Sequence, residues 1–139
     1  MKRVFLDTNI LMDAVECRRF SPEAHVILDL SIAGIIHACA STMSFATMSY
    51  LLRHFTKERF HETIKHLTNI VEVIPVDVRH FECAVNYGSV GDFEDLLQYQ
   101  CAVAAGCEAI VTNDKKDFLE FCQIPCLGSP TFLQLIKDS

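Results

Sequence analysis

The sequence predicts an α/β domain built on a parallel sheet with helices on both faces, and three observations carry that prediction. Short apolar runs alternate with stretches of helical period, the pattern of strand–helix–strand units. The first run, Val4-Phe5-Leu6, ends on Asp7 and turns at once into a helix. That puts a carboxylate at the C-terminal edge of a sheet, where open α/β folds bind ligands. Two later stretches repeat the arrangement, GDFEDLLQ from Gly91 to Gln98 and IVTNDKKDF from Ile110 to Phe118. A length of 139 residues, half of them hydrophobic, suits a single domain over 1–139 with a proper core.

Taken in order, residues 3–6 read as the first strand and Asn9 to about Val15 as a short helix. Ser21 as cap and Pro22 at the first helical position start a second helix, with Ala24, Ile27, Leu28 and Ile32 as its apolar stripe and Gly34 as its stop. Residues 35–40 form the second strand. Ser41 to Ser44 offer caps for a helix whose apolar positions are Phe45, Met48, Leu51 and Leu52. Thr56 caps the next, with Phe60, Ile64 and Leu67 inward. Two helices with no strand between them suggest an antiparallel arm projecting from the sheet. Residues 71–76 give a third strand, and Pro75 near its end suits a sheet edge. Asp77 caps a helix through Phe81, Ala84 and Val85 that Gly88 closes. Asp92 starts another, with Leu96, Tyr99, Val103 and Ala104 inward and Gly106 as its stop. Residues 109–112 form a strand, Asp114 to Phe121 a helix, 126–127 a last strand and Thr131 to Ile136 a terminal helix.

Composition excludes several classes. No apolar run reaches the ~18 residues of a membrane span. The N-terminus lacks the apolar stretch and cleavage site of a signal peptide, so a cytoplasmic location is expected. Seven cysteines, an odd number without C-x-x-C, suit free thiols in a reducing compartment. With no H-e-x-x-H spacing among six scattered histidines, zinc is not expected. The net charge of −6 argues against broad adhesion to nucleic acid. It leaves room for a nuclease in which divalent cations neutralise a carboxylate cluster.

Each acid also has a structural reading. Asp7 and Asp92 suit helix caps, Asp95 suits the third helical position, Asp114 a turn and Asp117 a surface. Their coincidence at three turns of one sheet favours a shared metal. Asp92 and Asp95 lie three apart, as do Asp114 and Asp117, so each pair can share a helix face. Converging carboxylates without basic partners repel one another, and Mg²⁺ or Mn²⁺ removes that repulsion. Nucleotide-binding glycine loops are absent. The second acid of the D-x-D phosphatase motif is replaced by Asn9, and the acid pair and lysine of phosphoacceptor receiver domains are missing.

FLDTNILMDA with its Asp13, a capped helix near SFATMSYLLR, DFEDLLQYQCAVAAGCEA and the closing T-N-D-x-x-D-F together resemble a PIN domain. The resemblance covers nearly the whole chain and is closest to the small VapC-like toxins of bacterial toxin–antitoxin modules. It implies a five-stranded parallel sheet and Mg²⁺- or Mn²⁺-dependent cleavage of RNA. It also implies an antitoxin partner and a homodimer. By position, Asp7, Asp95 and Asp114 match the catalytic, metal-binding acids, with Asp117 in the same last cluster. Asn9 and Thr112 match supporting polar residues, and Asp92 is a supporting or alternative ligand. One departure stands out. The family usually carries a Glu in the helix after strand two, and here Thr47 occupies that position, with Glu58 and Glu62 on the next helix expected to face solvent. The alternative function is therefore a catalytically weak PIN-fold module that binds RNA or protein. Right-handed connections give the strand order 3-2-1-4-5, with the first strand central and Asp7 near the switch point.

Overall fold

The computed structural model describes residues 2–139. Five parallel strands form one sheet in the order β3-β2-β1-β4-β5. They are β1 (Lys2–Leu6), β2 (Ile36–Ser41), β3 (Glu72–Ile74), β4 (Ala109–Val111) and β5 (Cys126–Leu127). The central place of β1 follows from its composition: Val4, Phe5 and Leu6 are fully buried, which only a strand covered on both faces can achieve. Their side chains alternate. Val4 and Leu6 enter one core with Ala38, Ala40, Ala109 and Val111, while Phe5 enters the other with Cys39 and Ile110.

The first face is covered by α1 (Thr8–Val15), α2 (Ser21–Ile32), α3 (Thr42–Leu51), α4 (Lys57–Thr68) and α7 (Ser129–Lys137). The second is covered by α5 (Val78–Tyr87), α6 (Phe93–Ala104) and a 3-10 turn at Lys115–Asp117. At the N-terminal edge of the sheet, the Arg3 guanidinium donates to the Ala105 carbonyl at 2.6 Å and to both Glu72 carboxylate oxygens at 3.2 and 2.7 Å. His37 Nε2 lies 2.9 Å from Glu72 Oε1. Arg3 thus ties the C-terminus of α6 across β1 to the edge strand β3.

Strand order, parallel sense and the edge position of β3 agree with the sequence reading, and Pro75 follows β3 directly. Several local expectations are corrected. Ser21 is the first residue of α2 rather than its cap, and Phe20 takes the cap position with no side-chain hydrogen bond. Helix α4 does not project as an arm: Leu67 is buried, and Phe60 and Ile64 pack against the first core. Ile32, Leu51, Phe81, Val85 and Val103 are exposed despite their apolar character. In α6 the inward phase runs through Leu97, Gln98, Cys101 and Ala102, which turns Val103 and Ala104 outward. The helix expected from Asp114 to Phe121 is only the short 3-10 turn, and α7 begins at Ser129. No helix among the described residues is long and apolar enough to cross a membrane.

Candidate active site

A hollow lies at the C-terminal edge of the sheet, and its walls come from four separate stretches of chain. The end of β1 contributes Asp7 and Asn9, and α3 contributes Thr47. The start of α6 contributes Asp92, Glu94 and Asp95, and the segment after β4 contributes Asp114 and Asp117. Register explains the meeting of the first and last. Leu6 pairs with Val111, and the Asp7 amide donates to the Val111 carbonyl at 3.0 Å, so Asp7 and Thr112 leave the sheet side by side.

Asp7 is 6% exposed and accepts three hydrogen bonds. They come from the Thr8 amide at 2.9 Å, Asn9 Nδ2 at 3.0 Å and Thr112 Oγ1 at 2.8 Å. A helix cap would aim its carboxylate at the second or third amide of the helix. Asp7 reaches only the first, and its other oxygen is held by side chains. Asn9 Nδ2 also donates to Thr112 Oγ1 at 2.9 Å, and Asn9 Oδ1 accepts from the Asn113 amide at 3.1 Å. Asn9 and Thr112 therefore orient Asp7. Burial pushes the Asp7 carboxyl up to about 6 against these hydrogen bonds. Among the charges that raise it further, Glu94 ranks ahead of Asp114.

Asp92 is the N-cap of α6, accepting from the Asp95 amide at 3.1 Å, so its structural reading holds. That cap fixes the first turn, from which Asp95 turns into the hollow. Among the described residues the Asp95 carboxylate has no hydrogen-bond donor and no ion pair. Partial burial, then the charges of Asp7, Asp92, Asp117 and Glu94, push it up to about 7. Asp114 and Asp117 sit three apart across the 3-10 turn, where such positions eclipse. The neighbouring Asp117 carboxyl, with burial, raises Asp114. The Asp114 amide donates to Thr112 Oγ1 at 3.1 Å.

The site's support includes residues that carry no signal in the sequence. Gln98, 1% exposed, donates to Ser44 Oγ at 2.8 Å and to Thr8 Oγ1 at 3.4 Å, and accepts from Ser41 Oγ. Thr8 and Ser44 share a hydrogen bond of 2.8 Å. This buried network locks α1, α3 and α6 together beneath the acids. Asn113 does the same on the other flank, donating to Asp13 Oδ2 at 3.2 Å and accepting from the Ser129 amide at 2.9 Å. Glu94 was also unmarked in the sequence, having no helix-face partner among the acids. Glu58 and Glu62 are exposed and stand outside the hollow, as expected.

The donor set fits a hard divalent cation. It consists of carboxylates alone, and one of them is half-buried with nothing to satisfy it. The single cationic side chain lining the hollow, Arg18, is aimed at Asp13 and Glu16, at 4.0 and 3.9 Å. Mg²⁺ and Mn²⁺ prefer such oxygen ligands.

Comparison with known proteins identifies the family and the fold. The PIN domain family model matches residues 3–116. Ribonuclease VapC1 of Aquifex aeolicus (strain VF5) is 30% identical over 119 residues, covering 82% of this chain and 83% of the relative. Among solved structures, VapBC-1 from nontypeable Haemophilus influenzae aligns with a TM-score of 0.68 at 16% identity, over 92% of this chain and 98% of the other. VapBC2 from Rickettsia felis, bound to a DNA fragment from its promoter, aligns with a TM-score of 0.66 at 21% identity, over 91% and 98%. By sequence family and by fold, the chain belongs to the PIN-domain family, in its VapC-like branch.

Proposed function

We propose that this protein is a divalent-cation-dependent endoribonuclease and the toxin half of a toxin–antitoxin pair. The observation that carries the reading is the convergence of Asp7, Asp95 and Asp114 on one hollow at the topological switch of the sheet, whose one basic lining residue, Arg18, pairs with Asp13 and Glu16 instead. In this reading Asp7, Asp95 and Asp114 hold Mg²⁺ or Mn²⁺, with Asp117 beside Asp114. Such an ion, when bound, polarises a phosphodiester oxygen and lowers the pKa of a coordinated water.

The chain's own residues do the rest. Thr112 and Asn9 fix the rotamer of Asp7 at the wall of the hollow. Asp92 fixes the first turn of α6 and thereby the direction of Asp95. The 3-10 turn brings Asp117 back against Asp114. Arg18 at the rim, with Lys115 and Lys116 in the turn, supplies the local positive charge that an RNA backbone needs on a chain of net charge −6.

The antitoxin assignment draws support from the VapBC relatives and from an apolar groove between α2 and α4 whose walls include Leu28, Ile32, Phe55 and Leu67. A homodimer would use the exposed stripe of Val78, Phe81 and Val85 on α5, extended by Phe93 against Phe81. The test of the activity is cleavage of structured RNA by the purified chain in Mn²⁺. Asp7→Asn is expected to lower the rate roughly 100-fold. Cleavage that this substitution leaves unchanged would overturn the assignment.

A further inference from the structure

We propose that Glu94, held against Thr47 of α3, is a direct carboxylate ligand of the cation in the hollow. The proposal rests on the divalent-cation reading above and adds a residue to it. Thr47 Oγ1 donates to Glu94 Oε1 at 3.3 Å, so the carboxylate lies at the tip of the Thr47 side chain. Thr47 stands at the position where the family resemblance implies a Glu. Glu94 would thus return to the hollow, from α6, the charge that α3 lacks.

The position of Glu94 is built rather than incidental. Helices α3 and α6 meet through two successive rungs. Gln98 donates to Ser44 at 2.8 Å, and one turn on in α3 and one turn back in α6 Thr47 donates to Glu94. The lower rung is buried and belongs to the network that also holds Thr8 and Ser41. The register of that buried rung sets Glu94 opposite Thr47. Asp92 caps the turn that carries Glu94, which fixes its backbone from the other side.

Glu94 also has no alternative partner. Among the described residues it makes no ion pair, although it stands in a hollow already crowded with carboxylates. A favourable interaction with the helix dipole explains an acid in the first turn of α6. It does not explain why the carboxylate meets Thr47 at the wall of a hollow lined by five other acids.

The test is Mn²⁺ binding by the purified full chain, read by calorimetry and by the electron paramagnetic resonance of bound Mn²⁺, with no RNA present. Glu94→Gln is expected to weaken binding about tenfold or more. Adding Thr47→Glu to Glu94→Gln returns a carboxylate to the same space and is expected to recover most of the affinity. Glu58→Gln removes one exposed acid outside the hollow and controls for overall charge, and thermal melts confirm that each variant folds. Wild-type affinity in Glu94→Gln, or a loss no larger than that of Glu58→Gln, would overturn the proposal. So would a double variant no better than Glu94→Gln. If Asp7→Asn loses Mn²⁺ while Glu94→Gln keeps it, this proposal alone falls. If the wild-type chain binds no Mn²⁺, the cation reading falls with it.

Discussion

Asp95→Asn should make the metal-free protein more stable, although it removes a wild-type residue from the centre of the site. The folded-state carboxyl is pushed from 3.8 up to about 7, first by burial and then by Asp7 and the other acids. A shift of that size corresponds to about 4 kcal/mol between the two protonation states. Water reaches about half of the group, so screening reduces the usable part to roughly 2 kcal/mol. Loss of an acid at the third position of α6 returns about 0.5 kcal/mol in the other direction. The net gain of about 1.5 kcal/mol raises the melting temperature by roughly 5 °C in a chain of this size.

The sign depends on pH. A carboxyl whose folded pKa is raised holds its proton more tightly when folded, so its contribution favours folding at low pH and is lost as pH rises through about 7. The variant carries no such charge at any pH. Its advantage should therefore be full at pH 8, shrink through pH 7 and vanish near pH 4. Thermal melts in chelator across that range measure it. In Mn²⁺ the order should reverse, because wild type gains about 2.7 kcal/mol at a hundredfold excess over its dissociation constant and the variant gains less. A variant that melts lower than wild type at pH 8 in chelator, with no Mn²⁺ shift in either protein, would show that the acids are independent caps rather than a cluster.

Three further outcomes follow from the same geometry. Asp7 and Asp95, pushed up to about 6 and about 7, must both lose their protons to hold a cation, so Mn²⁺ affinity measured by calorimetry should fall steeply between pH 7.5 and 5.5; a flat profile would contradict the shared site. Gln98→Leu leaves the buried Ser41 hydroxyl without its acceptor and takes one of two side-chain partners from Ser44; it should cost about 2 kcal/mol in urea unfolding, with weakened Mn²⁺ binding because α6 loses its register against α3. Gly91→Ala places a side chain at a φ of +66°, with its Cβ 3.0 Å from the Phe121 ring and 3.3 Å from the Asp117 carbonyl oxygen. It should cost roughly 1–2 kcal/mol and displace Asp117, seen as a lower melt and a smaller Mn²⁺ response.

What was legible in the sequence is what depends on period and punctuation. Val4-Phe5-Leu6 ending at Asp7, the caps at Thr56, Asp77 and Asp92, and the edge position signalled by Pro75 all express local rules, and the right-handed crossover then orders the strands. What failed depends on neighbours. The phase of α6 is set by Gln98, a polar residue that reads as solvent-facing until Ser41, Ser44 and Thr8 are seen around it. Val103 reads as inward for the opposite reason. Asp114 to Phe121 has helical spacing, yet Phe118 and Phe121 turn in to the second core and the chain tightens into a 3-10 turn instead. Of the acids that line the hollow, Asp7 and Asp114 could be picked out because each closely follows a strand, and Asp95 because it sits three residues from the cap Asp92. Glu94 could not, because only the contact between α3 and α6, 47 residues apart in sequence, shows what it faces.

The Arg3 clamp at the opposite edge of the sheet bears on the hollow through leverage. Helix α6 runs along one face of the sheet from one edge to the other like a strut: its first turn carries Glu94 and Asp95, and the carbonyl of Ala105 just beyond its last turn is gripped by Arg3. Repulsion among the acids presses on the upper end of that strut. The guanidinium, braced against Glu72 on the edge strand, resists at the lower end, where opposite charges attract. The chain thus sets an opposite-charge pair at one end of a helix against a like-charge cluster at the other, and the hydrogen bond to Ala105 opposes a slide of the helix along its axis. Positions that never approach the hollow, Arg3 and Glu72 among them, therefore help decide how closely its carboxylates are held.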